Sequence, residues 1–326
     1  MKTRITEMFG IKYPIICGAM YLIGDPKLAA AISNAGGMGN LTAGNYPNGD
    51  ELRKAIRETK KLTSKPFMVG ITILPSFHIT MDDHRRNLTI CAEEKVAGIE
   101  VSGTPIDKLG MEYIQMLKEA GVKMFHKVGS LRHAKHAEHV GYDGVYAAGI
   151  EEGGHPLNDD VTTMVLTPKL AESLSIPVVT TGGISDGKSM AAALMLGAEG
   201  VMMASRFIAT TECQVHENIK QEVVKRQENE TTLICKSINL QGRAIKNKVV
   251  EEILEAESKG ADLMELATLV TGERCRQAWS TGDIDVAPMM MGQSIGRIYD
   301  VVSCKKLLDR MVKEARKEAE RLVEIF

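Results

Sequence analysis

The sequence predicts an α/β protein, a (β/α)8 TIM barrel with a smaller helical insertion or lid near the C-terminus. Two observations predict the barrel. Short apolar runs alternate with helix-patterned segments about eight times within roughly 210 residues. Each crossover between parallel strands needs a helix, so this repetition implies a parallel sheet. A third observation predicts the insertion: after Thr210 the alternation stops and polar-faced helical patterns follow. A doubly wound open sheet is the structural alternative.

"YPIICGAM" reads as a first strand ending at Gly18. Asp25 and Pro26 then supply a cap and a first-turn proline for a helix that stops at glycines. "MGNLTAG" is a short strand and "NGDELRKAIRETKKLT" an amphipathic helix. "PFMVGITIL", "AGIEVSG", "VKMFHKVG", "YDGVYAAG", "IPVVTTGGI" and "EGVMMASRFI" are the remaining strands. Helical patterns separate them. Residues 1–211 and 281–326 are therefore expected to form the barrel, and 212–280 the lid, with no strand expected in the lid. "APMMMGQSIGRI" and the Glu/Lys/Arg-rich C-terminal segment are expected to add closing helices.

The 326 residues are 44% hydrophobic and 25% charged, as in ordinary globular proteins. A net charge of -2 and 4% aromatics give no signature of a nucleic-acid or anionic-membrane partner. No apolar run reaches the ~18–20 residues that span a bilayer, and the N-terminus lacks a signal-peptide pattern. A cytoplasmic protein with a small-molecule substrate is expected, and a homodimer is allowed. The six cysteines are scattered without a C-x-x-C pair, so no metal site is expected. Cys17, near a strand end beside Gly18, is a minor candidate for lining a site.

In a barrel of this kind the loops after the strands form the active face. "TTGGISDGKSM" carries the clearest anion signal there. Gly182 and Gly183 expose backbone N–H groups, and a helix begins shortly afterwards. Ala204 and Ser205, after the next strand, would add further amides. Neither stretch has the dinucleotide G-x-G-x-x-G pattern, so a mononucleotide such as FMN fits better. "EEGGHP" places His155 behind Gly153 and Gly154, which allow close approach to a flat ligand. A neutral imidazole can exchange a proton near neutral pH. His126 and Lys127 alternate, so only one enters the barrel, and Lys127 is the expected cofactor contact. His133, His136 and His139 read as a solvated helix face.

Together, "FGIKYPIICGAM", "LAAAISNAGGMGNLTAG", "KPFMVGITILP", "EEGGHP" and "IPVVTTGGISDGKSMAAALMLGAEGVMMASRFIAT" resemble the nitronate monooxygenase-like flavoprotein family. That family includes NADH:quinone reductases and FMN-dependent enoyl-acyl carrier protein reductases. The resemblance implies FMN as cofactor, with NADH or NADPH as an optional co-substrate. It implies that Ala19, Met20, Thr72, Lys127 and Gly153 meet the flavin ring and its tail. Gly182, Gly183, Ala204 and Ser205 would hold the phosphate, and His155 would be the catalytic residue. Tyr21, Gly70 and Leu157 depart from the family's usual residues; with Tyr146 they are the expected substrate-pocket walls.

The leading expectation is oxidation of alkyl nitronates, with oxygen reoxidising the flavin. The alternatives are NAD(P)H-dependent reduction of quinones or enoyl thioesters, a non-flavin phosphosugar barrel enzyme, and a non-catalytic FMN-binding protein.

Overall fold

The computed structural model describes residues 1–74 and 79–326. Pro75 lies outside the described residues, so the predicted motif "KPFMVGITILP" is seen up to Leu74. The eight expected strands are present: β1 Ile15–Cys17, β2 Gly39–Thr42, β3 Phe67–Ile73, β4 Gly98–Gly103, β5 Lys123–Val128, β6 Gly144–Ala148, β7 Val178–Thr181 and β8 Gly200–Met203. They pair in parallel in the order β1-β8-β7-β6-β5-β4-β3-β2. The ring closes between β1 and β2 through a single parallel bridge, Ile16 with Met38. The observed architecture is a (β/α)8 barrel.

Helices follow the strands. Short α1 (Arg4–Phe9) precedes β1; then come α2 Pro26–Asn34, α3 Gly49–Leu62, α4 Met81–Glu93, α5 Met111–Glu119, α6 Leu131–Val140, α7 Thr163–Ser173 and α8 Gly187–Met195. The cap read from sequence is present: the Asp25 side chain accepts from Leu28 N, with Pro26 opening α2. Inside the barrel, Ile16, Met38, Met68, Phe125, Tyr146, Val179 and Met202 form one buried cluster, to which α1 adds Ile5 and Phe9. Alternation along each strand sends these side chains inward and their neighbours to the helix layer.

Three sequence expectations change. The last strand stops at Met203, and Ser205–Ile208 forms a helical turn, α9. Residues 212–280 carry helices α10 (Glu217–Lys225), α11 (Lys248–Ser258), α12 (Leu263–Ala267) and α13 (Gly272–Thr281), but also an antiparallel hairpin of β9 (Thr231–Ile234) and β10 (Gly242–Ile245). Each hairpin strand has four residues, too few for a clear alternating signal. "APMMMGQSIGRI" gives only a 3-10 turn at Gln293–Arg297, before the long C-terminal helix α14 (Cys304–Ile325).

Gly39 shows how closely helix and strand approach. A Cβ there would lie 1.9 Å from the backbone oxygen of Ala29 in α2. Gly39→Ala is expected to lower unfolding stability by about 3 kcal/mol, because backbone must shift to admit it. Urea unfolding checks this; an unchanged midpoint would contradict the packing.

Candidate active site

A cavity of about 510 Å³ opens at the C-terminal ends of the barrel strands, within the size range of small-molecule sites. Ala19, Met20, Thr72, Lys127, Gly153, His155, Ala204 and Ser205 line it, as do Tyr21 and Leu157. Scattered positions of the chain thus meet at one mouth. Lys127 faces the cavity. His126, next to it, is buried in the helix layer, where Nδ1 contacts Val101 O at 3.1 Å.

Four expected residues sit elsewhere. Tyr146 is wholly buried in the barrel interior, its hydroxyl 3.4 Å from Met68 Sδ, so it forms no pocket wall. Gly70 lies beneath the cavity floor: a Cβ there would stand 2.2 Å from Ala19 Cβ. Its missing side chain is what lets the Gly18–Met20 turn settle onto β3. Gly182 and Gly183 do not line the cavity but pack behind the Gly149–Glu152 loop; a Gly182 Cβ would approach Glu152 N and Gly149 O at 3.0 Å. Cys17 is likewise buried, and burial pushes its thiol well up.

The anion expectation also needs correction. The helix after Gly182-Gly183, α8, has its first amides taken by carboxylates. Asp186 accepts from Ser189 N, and Glu314 accepts from Gly187 N at 2.9 Å. That terminus is therefore not open to phosphate. The amides of Gly182 and Gly183, both at positive φ, have no hydrogen-bond partner among the described residues. They, with the Ala204–Ser205 turn, are the remaining donors. A cavity mouth with the small Ala19 seated on Gly70, one lysine and unpaired loop amides nearby fits a flat phosphorylated ring system such as FMN.

Beneath the mouth lies a set of charges that the motif reading passed over. Lys127 Nζ is 3.5 Å from Glu152 Oε1, and Glu152 is buried. Buried Glu100, on β4, accepts from Ala19 N at 2.9 Å and from Asn40 Nδ2. Burial raises the Glu100 carboxyl, with Lys127 and these donors acting against the rise. Glu152 is pushed up to about 7, first by burial and then by Glu100, despite Lys127. Burial acts against the Lys127 charge, but Glu152 and Glu100 outweigh it and hold the ammonium. The sequence signal for Glu100 is an acid inside the apolar strand "AGIEVSG".

His155 presents exposed surface, but that surface belongs to the cavity wall. Its enclosure and then the Lys127 charge lower it to about 4, so it is neutral at pH 7. The hairpin of the 212–280 segment fixes this loop. Gly154 and Arg243 exchange backbone bonds of 3.2 and 2.6 Å, and Gln241 Nε2 donates to Pro156 O and Leu157 O at 3.1 and 2.8 Å. Gly153 meets Met291 and Gly292 backbone so closely that a Cβ would lie 2.5 Å from Gly292 N.

Glu152 supplies a pH test. Its native value of about 7 exceeds the ordinary 4.5, so the native state holds a proton that the unfolded chain releases. Its contribution therefore disfavours folding increasingly as pH rises from about 4.5 to about 7. Glu152→Gln is expected to gain stability relative to the unsubstituted protein across that window. Urea midpoints at acid and mildly alkaline pH measure it; parallel profiles would refute the assignment.

The nitronate monooxygenase family model matches residues 2–314. A Rhodococcus jostii (strain RHA1) protein named (3aS,4S,5R,7aS)-5-hydroxy-7a-methyl-1-oxo-octahydro-1H-indene-4-carboxyl-CoA dehydrogenase is 31% identical, over 99% of this chain and 98% of its own length. A probable nitronate monooxygenase of Staphylococcus aureus (strain MSSA476) is 30% identical, covering 90% and 92%. The structure of FabK from Thermotoga maritima superposes with TM-score 0.92 at 35% identity, covering 100% of both chains. The chain belongs to the nitronate monooxygenase family, and is an FMN-dependent oxidoreductase.

Proposed function

We propose that the protein is an NAD(P)H-dependent FMN reductase of an unsaturated acyl thioester. The observation that carries this reading is the cavity itself. Beyond His155 its walls include Met20, Ile71, Leu74, Leu240, Trp279 and Met290, an apolar lining that suits an acyl chain better than a small anion. The full-length likeness to FabK and to a dehydrogenase of a CoA ester supports the same reading.

Ala19, Met20, Thr72, Lys127 and Gly153 would hold the flavin ring and the Ala204–Ser205 turn its phosphate, with the unpaired amides of Gly182 and Gly183 as further donors where the phosphate extends beyond the cavity lining. FMN supplies the couple that passes a hydride from the nicotinamide to the substrate. Neutral His155 keeps one N–H donor and one acceptor nitrogen. It would hydrogen-bond the thioester carbonyl, while the Lys127 ammonium favours negative charge developing there. Tyr21 and Leu157 stand at the mouth, where they would meet the substrate.

Nitronate oxidation is the second reading, because a fixed ammonium beside a neutral imidazole suits a small anion. Anaerobic titration with NADH, NADPH, crotonoyl-CoA and propionate-3-nitronate separates the two. Bleaching by a nicotinamide, reversed by crotonoyl-CoA, is the expected result. Bleaching by nitronate alone would favour the second reading; bound flavin inert to all would make this a non-catalytic binder. His155→Asn is expected to lower kcat/KM by about 100-fold with FMN content unchanged. Unaltered turnover would remove His155 from the reaction.

A further inference from the structure

His84 and Asn87 lie one turn apart on α4, and both line the cavity. Their side chains are nearly fully buried, at 3% and 5% exposure. Yet His84 Nδ1 and Asn87 Oδ1 have no hydrogen-bond partner among the described residues. Neither residue's remaining side-chain nitrogen bonds to any described residue. Buried polar atoms are nearly always satisfied, and leaving one unpaired disfavours the fold. Two such residues at i and i+3 share one helix face, here the cavity face.

We propose that His84 and Asn87 form a hydrogen-bonding subsite for an uncharged amide or imide edge of a bound ligand. Both side chains can donate and accept, which matches a group carrying N–H beside C=O. Charge argues against an anion. Asp82 and Asp83 occupy the first turn of α4, and burial lowers His84, with Asp83 only partly offsetting it, so the ring is neutral. The nearby Arg86 does not change this. It pairs with Asp83 and packs against the Gly49 backbone of α3.

The subsite follows β3, across the barrel from the Ala204–Ser205 turn after β8. Two ligands carry such an edge: the pyrimidine imide of FMN and the carboxamide of a reduced nicotinamide. The inference rests on the reading of this cavity as the FMN and nicotinamide site, but not on which acceptor is reduced.

His84→Leu and Asn87→Leu test it, with His84→Gln as the conservative control. FMN binding to apoprotein is followed by fluorescence quenching. Binding of the unreactive analogue tetrahydro-NADH to loaded protein is followed by calorimetry, which requires no turnover. Thermal unfolding of the apoproteins gives a third readout. Each leucine variant is expected to keep or raise the apoprotein midpoint while weakening one ligand roughly tenfold, and His84→Gln to retain most of that affinity. Weakened FMN identifies the flavin imide; weakened analogue with normal FMN identifies the carboxamide. Either result supports the subsite. Leucine variants that destabilise the apoprotein, or that bind both ligands within about twofold of the parent, would overturn it. A parent that binds FMN but no nicotinamide would sink the reductase reading and leave the FMN arm to decide the subsite.

Discussion

The candidate site depends on one close approach of backbone to backbone. Gly153 and Gly292 touch without side chains between them, and Gln293 N donates to Glu151 O at 2.9 Å. Any Cβ at either glycine would collide with main chain, which cannot move as a side-chain tip can. This contact brings the segment after the hairpin down onto the loop after β6. The hairpin strand β10, held by β9 on one edge, pairs along its free edge with Gly154 and with Met290. His155 is therefore flanked by Gly154, bonded through its main chain to Arg243, and by Pro156, whose carbonyl accepts from the Gln241 side chain. Its orientation belongs to the junction between barrel and inserted segment.

Below that junction, charge does what the glycines do above it. Lys127 retains its proton because two acids flank it, and one of them, Glu100, is held in place by the Ala19 amide just after β1 and the Asn40 side-chain amide of β2. Burying such a group is costly unless every member finds partners. Here the set is not fully satisfied: among the described residues Asn40 Oδ1 finds no hydrogen bond, and Glu152 Oε1 has only its 3.5 Å ion pair with Lys127. The barrel floor is thus polar beneath an apolar cavity, an arrangement suited to stabilising charge that develops in a ligand lying between them.

How much of this was legible in the sequence follows from which physical signals are local. The eight strands were legible because buried parallel strands are continuous apolar runs bounded by turns. The mouth residues Ala19, Lys127, His155 and Ser205 were legible because strand ends define the active face. Tyr146 fails for an instructive reason. Alternation correctly puts it inside the barrel, but alternation carries no depth, and one pleat lower a side chain belongs to the core. The α8 terminus fails because its occupant, Glu314, comes from a helix more than a hundred residues later. His84 and Asn87 were invisible as site residues because their significance lies in burial without partners among the described residues, and no sequence pattern records that. The hairpin was lost to its brevity.

The barrel seam has a further consequence. Between β1 and β2 the ladder amounts to the bonds around Ile16 and Met38, while other neighbouring strands share registers of three residues or more. Just above the seam, Thr42 Oγ1 accepts from Met20 N and donates to Met20 O, both at 3.0 Å. This threonine hydroxyl, together with Asn40 Nδ2 donating to Cys17 O at 3.0 Å, therefore clasps the least-bonded seam of the barrel. The residues it fastens, Met20 and Thr42, are themselves part of the cavity wall. A ligand seated at this point would lie against both sides of the seam, and hydrogen exchange in β1 and β2 is the natural reporter of any bracing it supplies.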